Sequence, residues 1–116
     1  MSLTTIIDPS ALADLRELNP DDPAFLRELV DLFIHDGGER VAEVERALAT
    51  ANADLLMRAA HSIKGSCSHF GAAGLVTAAQ ALELQGKAAD FTGAAAMLPV
   101  LRNEFAAVAE ALQAFR

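Results

Sequence analysis

The sequence predicts an all-α protein, an antiparallel up-down four-helix bundle with a short extra helix at its N-terminus. Three observations lead to this prediction. The chain of 116 residues is rich in alanine, the strongest helix former, and contains no Trp or Tyr. Its apolar residues recur every three or four positions, the period of an amphipathic helix. The segments between these stripes are short, which favours antiparallel neighbours. We expect one domain over residues 1–116.

Two helices are predicted in the first half of the chain. A short one starts at Asp8–Pro9, carries three leucines spaced three apart, and stops at Asn19–Pro20. A longer one begins near Asp22–Pro23, and its apolar stripe keeps its phase across Gly37–Gly38. The preserved phase indicates one helix with a bend or close packing at the glycines, instead of two separate helices.

The third and fourth helices are delimited by capping residues. Asn52 is a typical cap for a third helix over about residues 53–70, and Gly71 is a typical stop. The fourth helix is expected from about Ala73 to Gln85, ending around Gly86. The third helix therefore lies between two well-marked ends.

The last helix starts after Asp90 and contains Pro99. A proline inside a helix removes one backbone hydrogen bond and should kink the helix. The apolar stripe continues on both sides of the proline, through Leu98, Leu101 and Phe105. We therefore expect one kinked helix that keeps a single buried face.

Composition points to protein partners in the cytoplasm. The net charge of −7 disfavours binding to nucleic acid or to an anionic membrane surface, and no basic patch offsets it. No run approaches the roughly 18 apolar residues that span a bilayer, and the N-terminus lacks a signal-peptide pattern. Cys67 is the only cysteine, so no intramolecular disulfide can form. We expect a cytoplasmic monomer.

The third helix has two contrasting faces. A continuous apolar stripe, about 160° to 240° around the helix from His61, holds Leu56, Ala59, Ile63, Cys67 and Phe70. The His61 side carries small or polar residues together with one methionine: Asp54, Met57, Arg58, Lys64, Gly65 and Ser68. The stripe must face the bundle, so the imidazole is expected to face solvent.

The surroundings of His61 suit a phosphoryl acceptor. An exposed neutral imidazole is a good nucleophile near neutral pH, and its attack on phosphorus gives a phosphoramidate. Lys64, three residues on, can bring a positive charge to an anionic group on the ring. Gly65, one turn on, weakens the helix, which is explained if another surface must approach closely there.

The segment "HSIKGSCSHFGAAGL" closely resembles the phosphorelay motif of histidine-containing phosphotransfer (HPt) domains. The motif reads H, any residue, aliphatic, K, G, two small residues, two variable positions, an apolar residue, G, and a leucine four positions later. Nine residues satisfy it: His61, Ile63, Lys64, Gly65, Ser66, Cys67, Phe70, Gly71 and Leu75. The preceding segment also looks like the family's long helix, so the resemblance covers nearly the whole chain.

The resemblance implies a role and a set of partners. His61 would accept a phosphoryl group from a response-regulator receiver aspartate or a sensor or hybrid histidine kinase, and pass it to another receiver. Members of this family carry no cofactor of their own, and Mg²⁺ is expected on the receiver. Relatives often place Gln or Glu near the imidazole from the following helix, and Glu83 matches that position, so it is expected to accept a hydrogen bond from Nδ1. We expect docking contacts from the residues around His61 that a receiver would cover: Met57, Arg58, Ser68 and Lys87.

Other readings of these residues are weaker. His35 and His69 are expected to be ordinary surface residues, since His69 lies about 80° around and about 12 Å along the helix from His61. No H-x-x-x-H or Cys/His cluster appears, so no metal site is expected. Cys67 is expected to be a small core residue, and Arg58 and Lys87 are either solvated charges or a source of positive potential.

An enzyme with its own nucleotide site is not expected. The chain contains neither G-x-x-x-x-G-K-[ST] nor G-x-S-x-G, and "GAAG" at 71–74 follows a helix instead of a strand. The alternative to a phosphocarrier is a helical adaptor that binds a receiver domain through the same face but never carries phosphate.

Overall fold

The computed structural model describes residues 7–114, and within that range all regular secondary structure is helical. The all-α prediction is therefore confirmed. Five α-helices and one 3₁₀ turn follow one another: α1 Pro9–Glu17, α2 Phe25–Ala49, α3 Ala53–Cys67, the 3₁₀ turn Ser68–Phe70, α4 Ala73–Lys87 and α5 Phe91–Gln113.

The four long helices form a closed ring. Each of α2 to α5 packs against the next helix along the chain, and α5 packs back against α2. The helices α3 and α4 are antiparallel, because Met57 lies against Gly86 while His61, later in α3, lies against Glu83, earlier in α4. The ring encloses an apolar core that includes Val44, Leu56, Leu82, Leu101 and Val108, each 0% exposed.

The short helix α1 is fixed over the end of α3. Asp8 caps α1 by accepting a hydrogen bond from the Ser10 amide at 2.9 Å, as its position before Pro9 predicted. The Asp8 amide donates to the Phe70 carbonyl at 3.1 Å, so the start of α1 is tied to the 3₁₀ turn. Only Leu12 is buried among the residues of α1. Leu18, the last of the three spaced leucines, follows the end of α1 and is exposed.

The helix α2 is continuous through Gly37–Gly38, as the preserved stripe predicted. Gly37 is buried, and a Cβ built on it would lie 2.5 Å from Cε2 of Phe105. A Cβ on Gly38 would meet nothing within 4 Å. Close packing of α5 is therefore the reason for the first glycine of the pair.

Three connections share one backbone design. At Ala51, Gly71 and Ala89 the chain takes positive φ angles of 51°, 64° and 52°. In each case the following amide donates back to the carbonyl five residues earlier, as in Asn52 N to Ala47 O at 2.9 Å. Asn52 and Asp90 then cap the next helix with their side chains, as predicted.

Two helix ends differ from the prediction. The α-helix α3 ends at Cys67, and residues 68–70 tighten into a 3₁₀ turn before Gly71. The helix α4 continues through Gly86 to Lys87, where the sequence suggested an end around Gly86. The true stop is Ala89, whose left-handed conformation a sequence pattern does not reveal because glycine usually occupies such a position.

Pro99 lies inside the uninterrupted helix α5. The carbonyl of Ala95 loses its usual donor, since proline has no backbone N–H. Both Ala95 and Pro99 are exposed, so water can reach that carbonyl. No helix within residues 7–114 is both long enough and apolar enough to cross a membrane.

Candidate functional site

His61 stands in the middle of α3 on its outward face. Leu56, Ile63 and Cys67, on the opposite face, are between 0% and 1% exposed. The side chain of His61 is 67% exposed. Because intact helical turns flank it on both sides, its backbone is fixed while its ring is accessible.

Glu83 of α4 approaches the imidazole from the neighbouring helix. It is the only buried charged residue within 7–114, with 7% of its surface exposed. Its Oε2 lies 3.1 Å from Nδ1 of His61, within hydrogen-bond range. The structure thus brings together the two residues that the resemblance paired, and the antiparallel contact of α3 with α4 sets their register.

Two lysines surround the same carboxylate. Nζ of Lys64 lies 2.7 Å from Oε1 of Glu83, and Nζ of Lys87 lies 3.7 Å from Oε2. The ion pair with Lys64 is the largest cause that lowers the pKa of Glu83 below its ordinary value. Burial acts in the opposite direction, and the contact with His61 adds a further lowering. Glu83 is therefore an ionised carboxylate at neutral pH.

The charge of Glu83 decides which nitrogen of His61 carries the proton. An ionised carboxylate can only accept hydrogen bonds, so the facing Nδ1 is the donor when the ring is neutral. The lone pair then resides on Nε2, the ring nitrogen that makes no contact with Glu83. In this tautomer the lone pair on Nε2 is available for a reaction, while Nδ1 is held by Glu83.

The space beside His61 is open on α3. A Cβ built on Gly65 would meet nothing within 4 Å, and the residue is exposed. The glycine therefore leaves room that no part of residues 7–114 occupies.

A second glycine near the site has the opposite surroundings. A Cβ on Gly86 would lie 2.8 Å from the backbone N and 3.0 Å from Cα of Met57. This close approach of α4 to α3 holds Glu83 near His61, and sequence reasoning treated Gly86 only as a helix end. The signal that could have found it is a glycine one turn after Glu83 on the same face.

The remaining residues expected around His61 differ in their exposure and in the contacts that they already make. Met57 is half-buried against Gly86, so less of it is accessible than the outward face suggested. Arg58 is exposed and pairs with Asp54 at 2.8 Å. Ser68 is exposed and its hydroxyl donates to the Gly65 carbonyl at 2.9 Å. Lys87, with 55% of its side chain exposed, is drawn toward Glu83 and is not simply solvated.

An apolar groove that the sequence did not reveal lies on the other side of His61. It measures about 430 Å³ and runs between α1, α2 and the end of α3. Leu18 and Leu32, 72% and 57% exposed, are its most accessible apolar residues. Its remaining lining residues are Leu15, Phe25, Leu29, Phe33, Asp36, Gly37, Arg40, Ser62, Ser66, His69 and Phe70.

One cluster of three side chains and one cysteine offer other chemistry outside the contact between His61 and Glu83. His35, Asp36 and Glu39 place one ligand atom each within 4.8 Å of one another, but all three are exposed, and His35 and Glu39 form an ordinary pair one turn apart at 3.4 Å. The absence of a metal site stays a prediction. Cys67 is buried, and burial raises the pKa of its thiol to about 11, so it is not a nucleophile at neutral pH.

Comparisons with known proteins agree with this geometry. Residues 28–111 match the family described as the Hpt domain. The crystal structure of histidine-containing phosphotransfer protein B from Pseudomonas aeruginosa PAO1 has a similar fold, with a TM-score of 0.86. The two sequences are 30% identical, and the similarity covers 94% of this chain and 92% of that one. No curated protein gives a significant sequence match. Since the match extends over most of the chain and includes α3 with its exposed histidine, the chain belongs to the Hpt domain family of phosphotransfer carriers in two-component signalling.

Proposed function

We propose that this protein is a cytoplasmic histidine phosphocarrier of a multistep phosphorelay, and that Nε2 of His61 is the atom that carries the phosphoryl group. The donors and acceptors are receiver aspartates, and a sensor or hybrid kinase is a further donor. One observation carries the proposal: an imidazole 67% exposed is held at Nδ1 by a buried carboxylate. Such an arrangement fixes the ring and leaves Nε2 free to react.

The transfer step needs only two reactants, His61 and the aspartyl phosphate of the receiver. The lone pair of Nε2 attacks the phosphorus of a receiver aspartyl phosphate, forming an N–P bond. The bond from phosphorus to the aspartyl oxygen breaks, and the carboxylate leaves with its electron pair. The proton on Nδ1 stays in place, so the ring gains a positive charge, which the adjacent Glu83 carboxylate stabilises. The reverse step returns the phosphoryl group to a second receiver.

The surroundings of Nε2 suit a carrier. Lys64 lies on the same face of α3 and supplies a positive charge for the phosphoryl oxygens, and the open space at Gly65 admits the partner. Mg²⁺ is expected on the receiver, whose aspartate needs it. The protein in this proposal contributes a fixed nucleophile and an approach path.

The receiver in this proposal covers surfaces on both sides of His61. Close to His61, on α3, the 3₁₀ turn and α4, the expected contacts are Met57, Arg58, Ser68 and Lys87. On the side away from Glu83 the apolar groove borders the site directly, since Ser62 and Ser66 of α3 line it. Its exposed Leu18 and Leu32 are the kind of apolar surface that protein partners bury. The predicted docking surface is thus extended from α3 and α4 to α1 and α2.

The test is phosphoryl transfer from a labelled receiver. The chain is incubated with a ³²P-phosphorylated receiver domain and Mg²⁺, and the label is tested for lability in acid and stability in base. We expect a base-stable label on the wild type and on His35→Gln, an exposed histidine away from the site, and none on His61→Gln. Label that persists on His61→Gln would contradict the assignment. Stable binding of receivers without label from any donor would instead support the adaptor.

A further inference from the structure

Both lysines of the chain lie at one buried carboxylate. The sequence contains only Lys64 and Lys87, on different helices, and each ammonium group is within 4 Å of Glu83. The Glu83 side chain is 9% exposed, whereas those of Lys64 and Lys87 are 29% and 55% exposed. One anionic group therefore has two cations, in addition to its contact with His61.

The two lysine contacts are not equivalent. The distance of 2.7 Å from Lys64 to Oε1 is that of a direct charge-assisted contact. The distance of 3.7 Å from Lys87 to Oε2 is too long for a hydrogen bond. Lys87 lies four residues after Glu83 on the same helical face, so a change of side-chain rotamer can close this gap without moving the backbone. Lys87 is near the carboxylate but not yet fully engaged by it.

A phosphoryl group on Nε2 would compete with Glu83 for Lys64. Lys64 follows His61 by three residues on the same helix, so its flexible side chain can reach an anion on the ring. In the unphosphorylated state, however, Lys64 is already bound to Glu83. If Lys64 moved to the phosphoryl oxygens, Oε1 of the buried carboxylate would lose its close cation, and only the positively charged ring at Oε2 would remain beside Glu83, which is unfavourable for a buried charge.

We propose that Lys87 is a positioning residue that replaces Lys64 at Glu83 when His61 is phosphorylated. This exchange rests on the proposed function. It frees Lys64 to bind the phosphoryl oxygens while Glu83 keeps both a compensating cation and its hydrogen bond from Nδ1. Lys87 then acts on the phosphoryl group only through Glu83 and Lys64. No bond forms or breaks in the exchange, and no proton is transferred.

The presence of only two lysines makes the exchange directly observable. The chain is labelled with ¹³C,¹⁵N-lysine, and the Cε and Nζ signals are recorded before and after phosphorylation by phosphoramidate, with ³¹P spectra to establish that phosphohistidine forms. We expect the Lys87 ammonium to become ordered and protected from exchange with water on phosphorylation, while the Lys64 signals shift with the phosphoryl group. Unchanged Lys87 signals in a phosphorylated sample would overturn the exchange.

Variants separate this indirect role from a direct one. We expect Lys87→Met to shorten the half-life of the phosphohistidine about two- to fivefold, the size typical of one ion pair, and Lys87→Arg to preserve it. In a Glu83→Gln background the effect of Lys87→Met should vanish, because no carboxylate remains to hold Lys64. The same shortening in both backgrounds would show that Lys87 acts directly on the phosphoryl group and would overturn the proposal.

The two proposals fail in different ways. Absence of any phosphohistidine signal in the wild type, with receivers and phosphoramidate alike, would refute the proposed function and the exchange together. A normal phosphohistidine signal with an unresponsive Lys87 would refute the exchange alone.

Discussion

Gly65 and Gly86 lie on facing helices of the same site, yet their surroundings are opposite. A Cβ on Gly65 would meet nothing within 4 Å, whereas a Cβ on Gly86 would press on the backbone of Met57. Neither residue has the positive φ angle that would require glycine for the backbone. Each glycine therefore provides space, and the two sites differ in what occupies that space. At Gly86 it is the neighbouring helix, and at Gly65 we propose that it is a visiting protein.

The largest expected effect follows from filling the open space. Gly65→Gln places a long side chain beside His61, so the receiver cannot bring its phosphoryl group into line with Nε2. We expect the rate of transfer to fall by at least about a hundredfold, the loss that a small misplacement of reacting groups can cause. The measurement is a transfer time course, with circular dichroism as the control for folding. Transfer at the wild-type rate, or an unfolded variant, would contradict the assignment of this surface.

The same substitution at the two glycines should change the stability of the protein in opposite directions. We expect Gly86→Leu to lower the free energy of unfolding by about 1 to 3 kcal/mol, because an overpacked contact must push α4 away from α3. Gly65→Leu should instead raise it by up to about 1 kcal/mol, since leucine is the better helix former and nothing obstructs it. Urea unfolding of the two variants measures both values. Equal destabilisation at the two sites would show that Gly65 is also packed.

Replacing Glu83, which the close packing at Gly86 holds near His61, should have a smaller effect on the free energy of unfolding, and this effect depends on pH. The pKa of Glu83 is lowered in the folded protein from its ordinary value of 4.5. Its ionised form therefore adds stability above that value, and the contribution is lost as the pH falls through the lower, folded pKa. Glu83→Gln has no such titration. When unfolding free energies are measured between about pH 3 and pH 7, the stability of the wild type relative to Glu83→Gln should increase as the pH rises. A difference that does not change with pH would mean that Glu83 is not held by its cations.

The smallest effects are expected at two alanines whose backbone conformation favours glycine. Ala51 and Ala89 adopt positive φ angles, which cost an L-residue free energy that glycine avoids. We expect Ala89→Gly to raise the free energy of unfolding by about 0.5 to 1 kcal/mol, after the greater entropy of the unfolded glycine variant is subtracted. Thermal unfolding measures the gain. Gly71→Ala, with positive φ and with Asp8 in the way, is the matched opposite change and should destabilise. A loss of stability in Ala89→Gly would contradict the strain argument.

The sequence was sufficient for features that depend on local pattern. The stripe through Leu56, Ile63 and Cys67 placed His61 on the outward face, because helical periodicity alone decides which side a residue takes. Asn52 and Asp90 were predicted as caps since the side-chain hydrogen bond that they form involves only the first turn of the helix. The positions of these residues follow from short-range physics.

Features that depend on the register of two helices were not accessible from the sequence. Glu83 was paired with His61 only by resemblance, and nothing indicated that Lys64 would already be bound to Glu83. The role of Gly86 needed the distance to Met57. Similarly, the stripe of α1 did not show that Leu18 remains uncovered, because periodicity identifies an apolar face but not what packs on it. The apolar groove therefore emerged only from the assembled fold.

The most direct measurement is the position of the phosphoryl group on the imidazole ring. The chain, labelled with ¹⁵N-histidine, is phosphorylated by its receiver or by phosphoramidate, and ³¹P–¹⁵N couplings identify the bonded nitrogen. We predict one phosphorylated residue, His61, with phosphorus on Nε2 and a proton retained on Nδ1 beside Glu83. Phosphorus on Nδ1, or on His35 or His69 in place of His61, would contradict it.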